Sequence, residues 1–181
     1  MAKNRFLVFV VAVCALTIFS TLAFGFGDPP AVGSAAPDFK LPTVEGGPVS
    51  LSDYKGKWIV LYFYPRDMTQ GCTIEAHNFQ ADQAKYTALN AVILGVSVDS
   101  VDKHKEFCTK ENLTFKLLSD ADYKVSDAYG SLAEGNGVKY SARHTFLIDP
   151  TGKIAKVFPK VDVKVHSQEV LDALAELQNK H

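Results

Sequence analysis

Hydrophobic positions along the chain change their spacing several times, and these changes predict alternating strands and helices. The uninterrupted run Trp58 to Tyr64 is short and rich in β-branched and aromatic residues, which favours a buried strand. Thr69 then stands where the N-cap of a helix is expected. Apolar residues follow at spacings that place them on one helix face. They are Cys72, Ala76, Phe79 and Tyr86.

The other elements follow from the same two periodicities and from the turn residues between them. In chain order they are a hairpin over Phe39 to Leu51, a strand over Ala91 to Val98, a helix from Ser100 to Glu111 that Asn112 ends, a short helix within Ser119 to Tyr129, strands over His144 to Ile148 and Lys153 to Phe158, and a helix over Ser167 to Leu177. Strands that alternate with helices indicate an α/β layered fold with a mixed sheet flanked by helices.

The N-terminal segment has a different pattern. Lys3 and Arg5 precede an uncharged run from Phe6 to Gly27, with small residues near its end. This pattern is typical of a secretory signal peptide, and the run is also long enough for an uncleaved membrane anchor, which needs roughly 20 residues. We therefore predict a signal peptide or anchor over 1–27, a linker over 28–36 and an exported globular domain over 37–181.

Composition and charge fit a globular domain and limit the classes of partner that are expected. A chain of 181 residues with 47% hydrophobic residues can bury a substantial core. The net charge is −1 and basic clusters are absent, so nucleic acid is not an expected partner. Removal of the leader would leave Cys72 and Cys108, an even pair in an oxidising compartment. That pair is either a structural disulfide or a redox pair.

Cys72 stands near the start of the predicted helix, where its thiol could become reactive. The thiolate is the nucleophile, and a free cysteine with a pKa of about 8.5 is only slightly ionised at neutral pH. A helix N-terminus stabilises an anion by about 0.3–1 kcal/mol, so the remainder needs a hydrogen-bond donor and a nearby cation. Thr69 can donate its hydroxyl. Pro65 ends the strand without an unpaired donor and would shield the pocket.

The spacing of Pro65, Thr69 and Cys72 resembles the peroxiredoxin active-site motif, Pro-x-x-x-Thr/Ser-x-x-Cys. The surrounding LSDYKGKWIVLYFYPRDMTQGCTIE is similar to the bacterioferritin-comigratory, or Q-type, branch of that family. The similarity continues through VDSVDKHKEF, LLSDAD and RHTFLIDPTGKI, and it covers about Val32 to Leu177. It implies a thioredoxin-like fold and a hydroperoxide reductase that needs no metal or haem cofactor.

The resemblance also implies a role for each matching residue. Cys72 would attack the peroxide and become a sulfenic acid, while Thr69 and the first helix amides orient the substrate and Pro65 shields the pocket. Arg143 occupies the place of the family's active-site arginine and would stabilise the thiolate. Glu75 either orients Arg143 or is only a favourable acid near the helix start.

The chain departs from many relatives at their second cysteine, which lies five residues after the first. Here that position is His77. Cys108 lies where some Q-type relatives place a resolving cysteine, which implies a Cys72–Cys108 disulfide; alternatively it is a small apolar side chain on its helix face. A disulfide needs Cα atoms within about 7 Å, so we predict that the turn around Cys72 unwinds first.

The expected partners are a hydroperoxide and a thioredoxin-like or other thiol reductant, and Q-type relatives are often monomers or weak dimers. A membrane is expected only if the leader stays uncleaved. His104 and Cys108 have metal-ligand spacing on one helix face, but two ligands do not make a site, and no metal is expected.

Two other functions are compatible with the sequence. The first is an exported thiol–disulfide oxidoreductase, although that chemistry uses Cys-x-x-Cys and the third residue after Cys72 is Glu75. The second is a non-catalytic binding domain in which Cys72 and Cys108 form a structural disulfide. A measurement of peroxide reduction distinguishes the peroxidase from these two alternatives.

Overall fold

The computed structural model describes residues 27–180. The signal peptide or anchor predicted over 1–27 lies outside the described residues, apart from Gly27. Within 27–180, none of the helices combines the length and the apolar character that a membrane crossing requires.

The described chain contains nine strands and four α-helices. The strands are β1 (Lys40–Pro42), β2 (Pro48–Ser50), β3 (Trp58–Phe63), β4 (Ala91–Ser97), β5 (Lys116–Ser119), β6 (Leu132–Gly135), β7 (Val138–Ser141), β8 (His144–Ile148) and β9 (Ile154–Phe158). The helices are α1 (Gln70–Ala88), α2 (Val101–Glu111), α3 (Lys124–Ala128) and α4 (His166–Gln178), with a 3₁₀ helix at Leu51–Tyr54.

Five strands form the central sheet in the order β5-β4-β3-β8-β9. β3, β4 and β5 run parallel to one another, while β8 is antiparallel to β3 and β9 is antiparallel to β8. β1 pairs with β2, and β6 with β7, as two separate antiparallel hairpins. The predicted α/β fold with a mixed sheet is therefore confirmed.

The central strand β3 is buried on both sides, as its continuous apolar run predicts. Val60 and Tyr62 pack in a core with α1, α2 and α4, whereas Leu61 and Phe63 pack in a second core with β1 and α3. Alternate residues of a strand point to opposite faces, so one short strand organises both cores. The loop after β3 is consequently held at the carboxyl edge of the parallel strands.

The long helices form as their apolar stripes predict. Cys72, Ala76 and Phe79 of α1 are buried, and α4 buries Val170 and Leu174 of its own predicted stripe. In α2, the Ser100 hydroxyl accepts from the Lys103 amide, and Asn112 ends the helix in a left-handed conformation with a φ of 54°. These predicted boundaries are confirmed to within a few residues.

Three elements differ from the sequence-based expectation. The helix expected within Ser119 to Tyr129 spans only Lys124–Ala128, and Ser119 is instead the last residue of β5. Neither β5 nor the β6–β7 hairpin was predicted. Each of these strands has only four residues, and β6 and β7 carry glutamate and lysine in place of an apolar run.

The segment predicted as a linker over 28–36 is attached to the domain. The Gly33 amide donates to the Ile154 carbonyl at 2.7 Å, and the Ile154 amide donates to the Ser34 carbonyl at 2.9 Å. Gly130, with a φ of +57°, lies directly under the start of the segment, where an added Cβ would approach the Gly27 carbonyl oxygen to 2.3 Å. The segment therefore follows the surface of the domain to the start of β9.

Candidate active site

Cys72 is the third residue of α1 and is only 2% exposed. The first intrahelical bond runs from the Thr73 amide to the Thr69 carbonyl at 2.9 Å, so the amides of Gln70, Gly71 and Cys72 have no partner within the helix. The first turn of α1 also contains no acidic residue. The helix start therefore offers Cys72 a partial positive charge and free hydrogen-bond donors.

Arg143, between β7 and β8, supplies the cation that the sequence required. Its Nη2 donates to Cys72 Sγ at 3.3 Å, and its Nη1 donates to Glu75 Oε2. The arginine side chain is 20% exposed, so water screens these contacts only partly. β8 pairs with β3 in the sheet, and this pairing brings a residue distant in sequence next to the helix that follows β3.

Glu75 is a buried partner of Arg143. Its side chain is 1% exposed, and Oε1 has no hydrogen-bond partner among the described residues. Burial raises the pKa of Glu75 to about 7, against the lowering effect of Arg143. Burial acts against the charge on Arg143, but Glu75 and Cys72 together raise its pKa. Of the two interpretations of Glu75, this contact favours the one in which it orients Arg143.

Thr69 occupies the N-cap position of α1, but its side chain does not make the expected contact. Its hydroxyl donates to the Arg66 carbonyl at 3.0 Å, not to Cys72, and it does not cap the helix. The reason is local: Met68 has a φ of 62°, and this left-handed residue closes a turn that brings the Arg66 carbonyl to the hydroxyl.

Pro65 and Thr69 line a groove of about 390 Å³ beside the start of α1. The opposite wall is formed by the β6–β7 hairpin. The lining residues on that wall are Gly135, Asn136, Val138 and Tyr140. Pro65 is half-buried. The groove lies next to the loop that leads into α1, and neither Cys72 nor Arg143 is among its lining residues.

Cys108 lies on α2 and packs against the same core cluster as Cys72. Both cysteines of the described residues have free thiols. Burial, with smaller contributions from the charges of Asp67 and Glu45, raises the pKa of Cys108 to about 11. The folded, reduced protein therefore keeps the Cys108 thiol protonated and separate from Cys72.

A buried polar cluster that the sequence analysis did not find connects the loop before α1 to α2. Asp67 lies between Pro65 and Thr69, and its Oδ2 accepts from His104 Nδ1 of α2 at 2.7 Å. The Tyr64 hydroxyl donates to Asp67 Oδ1 at 2.7 Å. The only sequence signal was the spacing of His104 and Cys108; nothing related either of them to Asp67, 37 residues before His104.

His77, where many relatives have the second cysteine, joins α1 to the end of α2. Its Nε2 lies 2.9 Å from Glu111 Oε2, with the histidine side chain half-exposed. The interaction is at the surface. α2 is thus held by two histidine–carboxylate contacts, one to the loop before α1 and one to α1 itself.

A buried cysteine at the start of the helix after a central strand, with an arginine on its sulfur, is the arrangement expected of a thiol-dependent peroxidase of the thioredoxin-like class. A profile of the AhpC/TSA family matches residues 32–157. The chain belongs to this family of peroxiredoxins. It is therefore an enzyme that reduces a peroxide and is itself reduced by a thiol.

Individual relatives agree with this assignment. Peroxiredoxin Bcp of Bacillus subtilis is 46% identical over 153 residues, which cover 82% of this chain and 98% of the relative. Peroxiredoxin Bcp of Escherichia coli is 37% identical and covers the same shares. The crystal structure of PrxQ from Xylella fastidiosa, 36% identical, superimposes with a TM-score of 0.78 over 83% of this chain and 98% of that one. The structural match confirms the predicted thioredoxin-like fold.

Proposed function

We propose that Cys72 reduces hydrogen peroxide and organic hydroperoxides, that Cys108 resolves the resulting sulfenic acid as an intramolecular disulfide, and that a thioredoxin-like donor restores both thiols. The observation that carries the proposal is the 3.3 Å contact between Arg143 Nη2 and Cys72 Sγ. A fixed cation next to a sulfur at a helix N-terminus favours the thiolate, which is the nucleophilic form.

In the first step, the Cys72 thiolate attacks the terminal peroxide oxygen. The S–O bond forms as the O–O bond breaks, and the leaving alkoxide or hydroxide takes up a proton to become an alcohol or water. Negative charge moves from the sulfur to the leaving oxygen. Arg143 and the free amides of Gln70 to Cys72 are positioned to stabilise that charge throughout.

In the second step, the Cys108 sulfur attacks the Cys72 sulfur and expels the hydroxyl group as water. Cys72 is almost fully buried beneath the first turn of α1, and the two thiols belong to different helices. A disulfide needs Cα atoms within about 7 Å and a specific side-chain direction. We therefore propose that the start of α1 unwinds after the first step, so that Cys72 can reach Cys108.

The mature enzyme is proposed to be a monomer or weak dimer and to act outside the cytoplasm. The proposed location rests on the basic start and uncharged run of the first 27 residues. An exported peroxidase needs a thiol donor in the same compartment, so the reductant would be an extracytoplasmic thioredoxin-like protein. The two alternative functions are not favoured: Glu75 occupies the last position of a Cys-x-x-Cys motif, and the relatives that match the chain are named peroxiredoxins.

Two cysteine variants test the proposed roles. Cys72→Ser is expected to abolish peroxide reduction, because the nucleophile is gone. Cys108→Ser is expected to complete one turnover at the native rate and then stop, because the sulfenic acid has no resolving partner. Stopped-flow peroxide consumption, followed by mass spectrometry of both cysteines, measures the two steps. Equal loss of the first turnover in both variants would contradict the assignment.

A further inference from the structure

His104 is fully buried on α2 and is held in one orientation by Asp67. Its Nδ1 lies 2.7 Å from Asp67 Oδ2, while the other carboxylate oxygen accepts from the Tyr64 hydroxyl. A carboxylate oxygen accepts, so Nδ1 must carry the hydrogen of this bond. In the neutral ring, the lone pair is then on Nε2.

That Nε2 atom is buried and has no hydrogen-bond partner among the described residues. Leaving a buried polar atom without a partner costs about 1–3 kcal/mol, so nearly all such atoms in folded proteins are paired. The ring is therefore fixed by Asp67 with a free basic nitrogen inside the protein.

Cys108 follows His104 by four residues on the same face of α2. Side chains at this spacing have Cβ atoms about 5–6 Å apart, and helical side chains lean towards the N-terminus over the preceding turn. This spacing places Cys108 one turn from His104 on the same helix face. The two groups are not hydrogen-bonded in the reduced structure, so the proposed contact forms only when Cys108 moves to attack Cys72.

The resolving step needs a base. Burial, together with Asp67 and Glu45, raises the pKa of Cys108 to about 11, so the thiol does not ionise by itself at neutral pH. A thiol is a poor nucleophile compared with its thiolate. Arg143, the cation that contacts Cys72, donates its two terminal nitrogens to Cys72 and Glu75.

We propose that His104, oriented by Asp67, is the general base that activates Cys108 in the resolving step. This inference rests on the proposed function of Cys108. Nε2 accepts the Cys108 proton as the Cys108 sulfur attacks Cys72 and the S–O bond of the sulfenic acid breaks. The departing hydroxide takes the proton from His104 and leaves as water. The disulfide, one water and neutral His104 are the products, and no further oxidant or reductant is needed.

The test is His104→Asn, which separates the two roles of the histidine. The asparagine amide nitrogen replaces Nδ1 and can still donate to Asp67, whereas nothing replaces Nε2. Loss of a general base typically slows a step by about 10²–10⁴-fold. We expect peroxide to oxidise Cys72 at the native rate and disulfide formation to slow about 100-fold or more. Added imidazole is expected to restore part of the lost rate.

His77→Asn is the control, because it makes the same substitution in a second histidine that contacts a carboxylate, at the surface between α1 and α2. It is expected to form the disulfide at the native rate. Quenched samples of all variants, analysed by mass spectrometry after one equivalent of peroxide, give the rate of disulfide formation. His104→Gln is a second variant without the base, in case His104→Asn does not fold.

The outcomes are separable. If the native protein never forms the Cys72–Cys108 disulfide, the proposed function of Cys108 fails. If the native protein forms it and a folded His104 variant forms it equally fast, only the role of His104 is overturned. If disulfide formation in the His104 variant is slow and added imidazole does not accelerate it, the hydrogen bond between His104 and Asp67 has only a structural role. That result would also overturn the proposal.

Discussion

At the residue scale, the site depends on the hydrogen bonds that the Arg143 guanidinium donates to two different partners. One nitrogen donates to the Cys72 sulfur and the other to Glu75. An arginine side chain has many rotamers, and an acidic partner on the same helix as the cysteine reduces them to one. Glu75 thereby positions the charge that Cys72 needs, although it does not contact the sulfur itself.

Replacement of Arg143 tests this electrostatic role. Arg143→Ala is expected to slow both peroxide reduction and alkylation of Cys72 by iodoacetamide at neutral pH, because the thiolate loses its charged donor. Charged hydrogen bonds contribute about 1.5–3 kcal/mol, which corresponds to a roughly 10- to 100-fold slower reaction. Arg66→Ala removes an equal charge from an exposed arginine and is the control. Equal rates for the two variants would remove Arg143 from the mechanism.

The pKa of Glu75 makes stability depend on pH in a specific direction. Burial raises it from 4.5 to about 7. Between these values the folded protein binds more protons at this site than the unfolded chain, so the free energy of unfolding falls as pH rises. Glu75→Gln is expected to remove this fall, which is roughly 3 kcal/mol for such a shift. Urea unfolding of the reduced protein at several pH values measures it.

Glu106→Gln, which changes an exposed carboxylate on α2, is the control for that experiment. Its stability should follow the native pH profile. A Glu75→Gln variant whose stability declines as steeply as that of the native protein between pH 4.5 and 7 would show that the ion pair with Arg143 keeps Glu75 ionised.

The sequence predicts those site residues that lie close together along the chain. Pro65, Thr69 and Cys72 form a pattern within one turn and one helix start, and local spacing is sufficient to identify it. The contact between Arg143 and Cys72 spans 71 residues, and only the family resemblance pointed to it. Asp67 and His104 were missed because tertiary packing alone brings them together.

At the scale of elements, the close packing between β3, β4 and β5 fixes the position of the active-site loop. Gly95 in β4 stands opposite Tyr62 of β3, where the strands allow no side chain. An added Cβ would lie 2.7 Å from Leu117 Cδ2 and 2.8 Å from the Tyr62 ring. The ring of Tyr62 packs on Phe79 of α1, so this glycine indirectly determines how close α1 lies to the sheet.

Gly95→Ala is therefore expected to destabilise the protein by about 1–3 kcal/mol, as overpacking of a core usually does. Gly47→Ala is the control, because Gly47 has open space around its Cβ position and needs no left-handed conformation. Its effect should stay within about 0.5 kcal/mol, the usual range for surface substitutions. Urea unfolding compares the two, and similar stabilities would show that the core around Tyr62 can adjust.

Elements with long periodic patterns were predictable, and short ones were not. β3, α1 and α4 each carry at least six residues of regular pattern, so their own sequence determines their type. β5 has four residues and becomes a strand because the edge of β4 is available to it. The β6–β7 hairpin has polar strands, and its register depends on the turn around Asn136, which has a φ of 53°.

At the scale of the whole molecule, the proposed catalytic cycle requires two arrangements of the same fold. The structure holds Cys72 against Arg143 with both thiols free, which is the arrangement for attack on peroxide. The proposed disulfide needs the first turn of α1 to leave that position. The second arrangement should affect α1 and α2 and leave the sheet and α4 unchanged.

Hydrogen exchange can compare the two states. In the disulfide form, the amides of the first turns of α1, including Thr73, are expected to exchange faster than in the reduced form, because their helical bonds are broken. Amides of α4 around Leu174 should exchange at equal rates in both forms and provide the internal control. Unchanged protection at the start of α1 in the oxidised protein would show that the disulfide forms without unwinding.

Because residues 33–36 are hydrogen-bonded at the start of β9, the position of a proteolytic cut near the N-terminus determines how much of the sheet edge is exposed. β9 is the outermost strand of the sheet, and this segment pairs with its first residue, Ile154, and with Gly152 and Lys153 before it. An uncovered strand edge recruits strands from other molecules and promotes aggregation. Proteolytic maturation that removed the chain through Ala36 would uncover this additional part of the edge, so a cut before Gly33 is expected to give the product that is less prone to aggregate.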